Sequence, residues 1–223
     1  SKTEDQQAFK EEACKKWIDV RAFGQVFAFK GKKRKNKNKP DQGDDANITD
    51  SDAGVSIGIR GPVSIHPAFS RSSVTGKINS QQIVKRTSNE GDGVNRQSDQ
   101  MGMKHRVDHG VYVSYGAINP QLASKTWLED KDAAAIKNAL EHLFDNDASS
   151  ARPEGSMEVI AVFWWEHNVK YGQYSSAVVH RALSVEPIKD EPKSIEDYSI
   201  KLKRLSGLEP KIFNPNNVVI ERV

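Results

Sequence analysis

The stretch from Gly54 to Tyr115 joins two strand-like segments through a long polar and basic arm. It opens with GVSIGIRGPVSIHP (54–67), runs through INSQQIVKRTSNEGDGVNRQSDQMGMKHRV (78–107) and closes on HGVYVSY (109–115). Both flanking segments alternate apolar and polar residues, which is typical of strands with one buried face. A connection of about forty residues with little apolar periodicity is usually functional or disordered. The stretch therefore predicts a sheet that holds out a long basic arm.

Charge along the chain is strongly segregated, although the formal net charge is only +3. Residues 30–39 carry seven Lys/Arg and no acid, whereas residues 41–52 carry five Asp and no base. From Arg60 to Arg106 there are eight Lys/Arg and three acidic residues. Positive charge gathered in local blocks is the pattern expected of a protein with a polyanionic partner.

Composition excludes several classes of protein. The single cysteine, Cys14, excludes an internal disulfide and a cysteine-based zinc site. No apolar run approaches the ~18 residues of a transmembrane helix, and no signal peptide is present, so we expect a cytoplasmic protein without membrane contact. The mean hydropathy of −0.67 favours extended polar segments or a large wet interface. Because the chain starts at Ser1 directly in a helical pattern, we expect its natural start to lie upstream.

The N-terminal third predicts a helix, a strand and a charged loop. Apolar residues recur at helical spacing over 3–17, and residues 19–29 alternate as a strand does. Within that strand, Gly24 suggests a bulge or a close approach of two backbones. Residues 30–53 carry blocks of like charge and no aromatic residue, which predicts a mobile loop.

Three further strands flank or enter the arm. The strand over 54–65 is expected to bend at Gly61–Pro62, because proline cannot donate to a β-ladder. Residues 74–84 predict a strand at the base of the arm, and residues 109–119 alternate again.

The clearest helix lies within 126–147, where Asp130 or Asp132 can cap the N-terminus. Its predicted buried stripe consists of Ile136, Leu140, Leu143 and Phe144.

The C-terminal third predicts mostly strands. An apolar strand at 157–168 is expected to pair antiparallel with 178–187, and 218–223 predicts a terminal strand. Between them, residues 195–205 predict a short helix that Ser194 caps, with Asp197 at the capping-box position.

These elements predict an α+β fold. If an upstream segment supplies one more strand, the core order becomes β-α-β-β-α-β, the ferredoxin-like or RRM-type split unit. In that fold an antiparallel sheet carries its helices on one face. The other face stays open for a single nucleic-acid strand.

Catalytic patterns are sparse in the sequence. His105 and His109 lie four residues apart in a strand-like segment, which separates them by ~13 Å, too far to share a metal ion. P-loop, GxSxG and paired-carboxylate motifs do not occur. We therefore predict no catalytic residue, no metal and no cofactor.

Features of nucleic-acid binding are stronger. Basic side chains mixed with Ser, Thr and Gln donors satisfy phosphates without reading bases. The candidates for such contacts are Arg60, Arg71, Lys85, Arg86, Lys104, His105 and Arg106. Met101 and Met103 either fill a core, as methionine often does, or act as apolar wedges that interrupt base stacking. The aromatic pattern of ordinary RRM domains is missing, so base stacking of that kind is not expected.

Several segments in the same order resemble a known family. They are DVRAFG (19–24), GIRGPVSI (58–65), MGMKHRVDHGVYVSYGAINPQLA (101–123), AIKNALEHLFDNDASSARPEG (135–155) and MEVIAVFWWEH (157–167). Together they resemble the type I-C CRISPR-associated backbone protein of the Csd/DevR group, a RAMP-superfamily protein that forms the repeated subunit of Cascade. The likeness covers most of residues 17–186.

The resemblance implies an RRM-like palm with thumb and finger extensions. It divides the chain into palm segments at 1–29, 54–69 and 107–223, a finger at 30–53 and a thumb at 70–106. Arg21, Arg60, Arg71, Ser72 and Ser73 would line the RNA track of the palm, and Met101 and Met103 would be the wedges of the thumb. Two departures stand out, because the family's opening strand is absent here and the 30–53 insertion is unusually long and charged.

The implied function is non-catalytic. Copies of the chain would polymerise along a guide RNA (crRNA) and hold it for pairing with target DNA in antiviral defence. Further implied partners are the five-group crRNA-processing subunit and the large subunit of the complex. Two alternatives stay open: a metal-independent endoribonuclease that uses His66, His105 or His109 as acid and base, and a generic RNA-binding regulator that does not polymerise.

Overall fold

A computed structural model describes residues 2–29, 55–74, 77–86, 100–149 and 151–223. The predicted charged insertion at 30–53 lies outside these residues. The chain divides into two compact units, Ser1–Ser64 with Gly116–Ala135 and Ile65–Tyr115 with Ile136–Val223. The predicted segment boundaries within palm, finger and thumb stay predictions. Within the described residues, each helix is too short or too polar to pass through a bilayer.

The described elements are five α-helices and a larger number of mostly short strands, eight of which follow one another between α2 and α3. In chain order the helices are α1 (Lys2–Lys16), α2 (Ile18–Phe23), α3 (Pro120–Thr126), α4 (Asp130–Glu141) and α5 (Ser176–His180). The strands are β1 (Gly24–Phe29), β2 (Val55–Arg60), β3 (Val63–Ile65), β4 (Phe69–Ser70), β5 (Ile78–Arg86), β6 (Gln100–Val107), β7 (Tyr112–Val113), β8 (Gly116–Ile118), β9 (Val162–Trp164), β10 (Leu183–Pro187), β11 (Tyr198–Leu202), β12 (Lys211–Phe213) and β13 (Ile220–Arg222).

Most of the strand pairing is antiparallel. The described ladders are β1–β2, β3–β8, β4–β7, β5–β6, β9–β12 and β10–β11–β13. Only the contact of β11 with β13 is parallel among the registers that the structure describes. Small antiparallel sheets with a few helices confirm the α+β class and are compatible with an RRM-type fold.

The first unit packs α1 against one face of the β1–β2 ladder. Ala13 and Cys14 on α1 are buried together with Val20 on α2. Phe9 meets Phe27 edge to face, with 5.0 Å between the ring centroids. An edge-to-face aromatic pair stabilises a contact by more than the apolar area that it buries. This pair therefore helps to fix α1 on the sheet. The predicted helix over 3–17 is confirmed.

The prediction of a strand over 19–29 is wrong for its first half. Residues 18–23 form α2, and the strand begins only at Gly24, whose φ of 81° ends the helix. A Cβ at this position would lie 2.3 Å from the backbone oxygen of Ile59. Glycine is required both by the left-handed conformation and by the close approach of β2, which confirms the expected backbone contact at Gly24.

A buried ion pair joins α2 to the N-terminal end of α4. Arg21 donates from Nε to Asp132 Oδ2 at 2.9 Å and from Nη2 to Asp132 Oδ1 at 2.6 Å. Its Nη1 donates to the backbone oxygen of Cys14 at 3.1 Å, and Asp132 Oδ2 accepts from the backbone N–H of Glu129 at 3.0 Å. The side chains of Arg21 and Asp132 are 15% and 4% exposed. The hydrogen bond with Arg21 lowers the pKa of the Asp132 carboxyl.

The described residues of the second unit form two small cores. Val185, Tyr198 and Ile200 are buried between β10 and β11. Val179 and Leu205 belong to the other core.

Two predicted features of this unit are wrong. Residues 157–168 contain only the three-residue strand β9, which pairs with β12 and not with 178–187. The latter segment contains α5 and β10, and β10 pairs with β11. Residues 198–202, predicted as the continuation of a helix, form β11 because Tyr198, Ile200 and Leu202 alternate inward.

The capping-box prediction at Ser194 is confirmed, on a single turn of 3₁₀ helix at Ile195–Asp197. Asp197 Oδ2 accepts from the backbone N–H of Lys193 at 2.9 Å, and Lys189 forms an ion pair with the same carboxylate. The hydrogen bond with Lys189, reinforced by the N–H of Lys193, lowers the pKa of Asp197 to about 2.

Helix α4 begins at Asp130, and the prediction of a helix here is confirmed over Asp130–Glu141. Ile136, Leu140 and Phe144 are half-buried, but Leu143 is 52% exposed and is not part of a buried stripe. The helix ends before Leu143, so that side chain no longer follows the helical period.

We predict that Asp132→Ala lowers the free energy of unfolding by about 3–5 kcal/mol, because the substitution leaves the buried Arg21 guanidinium without its counter-ion. Urea unfolding followed by tryptophan fluorescence measures this loss. Asp130→Ala is the matched control, since Asp130 is an exposed acid in the same helical turn. Equal unfolding midpoints for the two variants would contradict a structural role for the ion pair.

We also predict that the stability contributed by Asp197 depends on pH. Its pKa is lower in the folded chain than the unfolded value of about 4, so the contribution is complete above that value. It is lost as the pH falls toward the folded pKa of about 2. Melting temperatures of the wild type and Asp197→Asn should therefore converge as the pH is lowered from 6 to 2. A constant difference over this range, or the same convergence for the exposed Asp190→Asn, would refute this linkage.

Candidate nucleic-acid interface

The predicted basic arm contains a two-stranded antiparallel ribbon. Strands β5 and β6 pair from Ile78 opposite Val107 to Arg86 opposite Gln100, with one irregularity between Val84 and Arg86. The strand predicted at 74–84 thus begins and ends later than expected. Both faces of the ribbon carry polar residues, so the sequence has little apolar periodicity although the backbone pairs regularly.

One face of the ribbon presents the two methionines. Alternation along β6 places Met101, Met103 and His105 on the same side, and residues opposite each other in the ladder share a face. Gln82 lies opposite Met103, and Ser80 lies opposite His105. Met101 is 54% exposed and Met103 is 57% exposed. The interpretation of these methionines as core residues is wrong, because more than half of each side chain meets solvent.

His105 is held in place on this face. Its Nδ1 forms a hydrogen bond of 2.8 Å with Ser80 Oγ, across the two strands. The imidazole is therefore oriented on the ribbon, next to the methionines.

The opposite face of the ribbon carries the positive charges of β6. Lys104 and Arg106 alternate with the methionine face, and Lys104 lies opposite Gln81. Arg106 Nε donates to Asp108 Oδ1 at 3.0 Å. The Arg106 side chain is 71% exposed. Methionines on one face and cations on the other give the ribbon two chemically different sides.

Lys85 and Arg86 are the last two residues of β5. Their side chains lie outside the part of the chain that the structure describes, so their predicted phosphate contacts stay predictions.

Arg71 follows β4 and contacts the end of β10. Its Nε donates to the backbone oxygen of Val185 at 2.8 Å, and its Nη2 donates to Glu186 Oε1 at 2.6 Å. Ser72 Oγ shares a hydrogen bond of 2.9 Å with the hydroxyl of the buried Tyr198. Ser73 follows on the exposed side. This segment is thus tied to the β10–β11 sheet by side-chain hydrogen bonds.

The other two predicted contacts lie in the first unit. Arg60 is the exposed last residue of β2, opposite Gly24. Arg21 is the cation of the buried pair with Asp132, and its Nε, Nη1 and Nη2 all donate within this unit. The guanidinium of Arg21 therefore has a structural role, and its predicted contact with RNA is untested.

The histidines proposed as acid and base have different neighbours. His66 lies edge to face against His180, which stacks on Tyr115. His105 binds Ser80, and His109 packs against Tyr198. Within the described residues, no three His, Cys, Asp or Glu side chains are grouped as a metal site requires.

A comparison with family models shows the family to which the chain belongs. Residues 1–203 match the family described as CRISPR-associated protein Cas7. The chain belongs to this family. A search of curated proteins gave no match. Membership in the Cas7 family supports the role of a crRNA-binding backbone subunit in a Cascade-type complex, within the RAMP group that the sequence resembles.

Sequence reasoning missed the carboxylates that contact the predicted RNA-binding arginines. Glu186 lies 115 residues from Arg71, and no local pattern connects them. Asp108 lies two residues after Arg106, so its proximity was available from the sequence. In this Cas7 chain, Asp108 also accepts from the side-chain amide of Asn79 at 2.5 Å.

We predict that Arg60→Ala and Lys104→Ala each weaken RNA binding by this Cas7 protein to a similar degree for all sequences. Each should reduce the slope of log affinity against log salt by about one ion, because a phosphate contact releases one counter-ion. Titrations of labelled single-stranded RNAs at several salt concentrations measure both effects. Lys211→Ala is the control, because Lys211 is an exposed cation paired with Glu166 at 2.7 Å. A loss confined to particular bases would contradict contact with the backbone alone.

Proposed function

We propose that this Cas7 protein is the crRNA-binding backbone subunit of a type I-C Cascade surveillance complex. In this proposal the chain is non-catalytic and polymerises along the guide. It works in the cytoplasm, where it holds the guide for pairing with target DNA. Sequence is read by base pairing, while the protein binds the shape and phosphates of the RNA, as in other RNA-guided systems.

The ribbon formed by β5 and β6 is the observation that carries this proposal. Its exposed Met101 and Met103 are suited to insert between bases, since apolar side chains can separate stacked base steps. Lys104 and Arg106 on the opposite side supply cations for a phosphate backbone. An apolar wedge backed by positive charge fits a nucleic acid better than it fits a neutral protein surface.

In the proposed mechanism, the ribbon is the thumb of each subunit. It reaches over the adjacent copy, enters the guide–target duplex and displaces one nucleotide at regular intervals. Arg60 and the segment Arg71–Ser73 bind the guide backbone in the palm. The five-group crRNA-processing subunit and the large subunit complete the proposed assembly.

Non-catalysis is also part of the proposal. General acid–base cleavage of RNA needs two groups within hydrogen-bond reach of one ribose and its phosphate. His66, His105 and His109 contact His180, Ser80 and Tyr198 respectively, so each is engaged with different side chains. In this proposal the three histidines cleave no RNA, so replacing all three with Ala should leave any RNA cleavage by the preparation undiminished.

The proposal is tested on the protein purified from cells that express its operon. Light scattering gives the particle mass, and extraction followed by sequencing identifies any bound RNA. We expect a large particle that contains uniform, intact repeat–spacer RNAs. A nucleic-acid-free monomer would refute the filament, whereas heterogeneous RNA on a monomer would favour the regulator alternative.

We predict that replacing both Met101 and Met103 with Ala leaves guide binding unchanged but alters the guide–target duplex. Without the two thioether side chains, base stacking should be restored at the displaced positions. Chemical probing of nucleotide reactivity along the duplex measures this change as the loss of a regular pattern. Gln82→Ala is the matched control, because Gln82 lies opposite Met103 on the same face. An unchanged pattern in the double variant would remove the wedge assignment.

A further inference from the structure

Arg71 donates hydrogen bonds to two acceptors that differ in their exposure to solvent. One is the backbone oxygen of Val185, a residue that is 6% exposed and belongs to the core between β10 and β11. The other is the carboxylate of Glu186, whose side chain is 58% exposed. The first acceptor is fixed by the sheet. The second stands in solvent on a side chain with several rotatable bonds.

We propose that Glu186 occupies the place of an RNA phosphate at Arg71 and that a phosphate of the guide displaces it on binding. This inference rests on the proposed function, and it adds a regulatory contact that neither the fold nor the family assigns. Carboxylate and phosphate oxygens bind a guanidinium in the same geometry, so one can replace the other. In the RNA-free protein, Glu186 therefore blocks the site at which the phosphate would bind.

The geometry allows the exchange without moving the arginine. A guanidinium has five N–H donors, and the bond from Nε to Val185 persists when Glu186 leaves. The backbone N–H of Arg71 also donates to the oxygen of Val111 at 2.8 Å, which fixes the main chain. The arginine is therefore preorganised, and binding RNA requires only the rotation of one exposed glutamate.

The contrast with Arg21 supports this division of roles. Asp132 is 4% exposed and also accepts from a backbone N–H, so RNA cannot replace it without unfolding the N-terminal end of α4. An exposed ion pair contributes little net free energy because solvent screens it, which makes the Arg71–Glu186 contact easy to exchange. Arg106 and Asp108 form a second exposed pair, with side chains 71% and 57% exposed.

The test is a titration of a fluorophore-labelled single-stranded RNA of fixed length with the wild type, Glu186→Gln and Glu209→Gln. Glu209 is the matched control, since it is 51% exposed and lies 3.4 Å from Arg204 and 3.5 Å from Arg222. Both substitutions remove one negative charge beside arginine. Glu186→Gln should tighten RNA binding by about threefold, the size expected for an exposed ion pair, whereas Glu209→Gln should not.

Arg71→Ala and the double variant complete the cycle. If Arg71 is the exchanged group, Glu186→Gln should have no effect in the Arg71→Ala background. An equal gain for Glu186→Gln and Glu209→Gln would overturn the inference, because net charge alone would explain it. An unchanged or weakened affinity for Glu186→Gln would also overturn it, since Glu186 would then only position Arg71. The comparison of the two glutamate variants decides the question even if Arg71→Ala fails to fold.

The same titration separates this inference from the proposed function. RNA binding by the wild type with no difference between Glu186→Gln and wild type overturns the exchange alone and leaves the guide-binding role intact. The absence of RNA binding by every folded variant overturns both.

Discussion

The bidentate contact between Arg21 and Asp132 is the interaction on which the first unit depends. It joins residues 111 positions apart and connects the end of α1, through the Cys14 carbonyl, to α2 and to the first turn of α4. Removing two charges from water is costly, and the cost is offset only when the geometry is good and the remaining hydrogen bonds are made. Both conditions are met here, because the carboxylate also accepts from Glu129. In the folded chain, the packing of the N-terminal helices and the placement of the segment that contains Asp132 therefore depend on each other.

The arginines of the chain divide by the burial of their partners. Arg21 contacts a buried carboxylate and serves the fold, whereas Arg71 and Arg106 contact exposed carboxylates. An exposed pair contributes little to stability because solvent screens it and ordering the side chains costs entropy. What such a pair does instead is to hold a guanidinium in a defined orientation at the surface. Residue type alone would treat the three arginines as equivalent candidates for phosphate contact, and only the burial of the partner separates Arg21 from the other two.

The confirmed sequence predictions rest on patterns among neighbouring residues. The wrong ones concern segments whose structure is decided by contacts with residues far away in the sequence. The α1 helix, the break at Gly61–Pro62 and the capping box at Ser194 depend on neighbouring residues, and all three are found. Residues 19–23 alternate like a strand, yet they form a helix whose arginine pairs with Asp132, far along the chain. The pairing of β9 with β12, rather than with the predicted partner 178–187, likewise cannot be read from the periodicity of either segment. For the candidate site, sequence located the basic arm but not the exposure of its methionines or the glutamate at Arg71.

The ribbon of β5 and β6 shows why a strand pair with two polar faces is hard to detect from apolar periodicity. An isolated two-stranded hairpin is marginally stable in water, and β5 and β6 pair only with each other among the described strands. Leaving Met101 and Met103 more than half exposed forgoes the apolar burial that would stabilise it. A partner that covers the two methionines would supply the missing apolar burial, and Lys104 and Arg106 on the other face would attract a partner with negative charge. The low apolar burial that makes the ribbon a weak structural element is therefore also what the proposed nucleic-acid contact would offset.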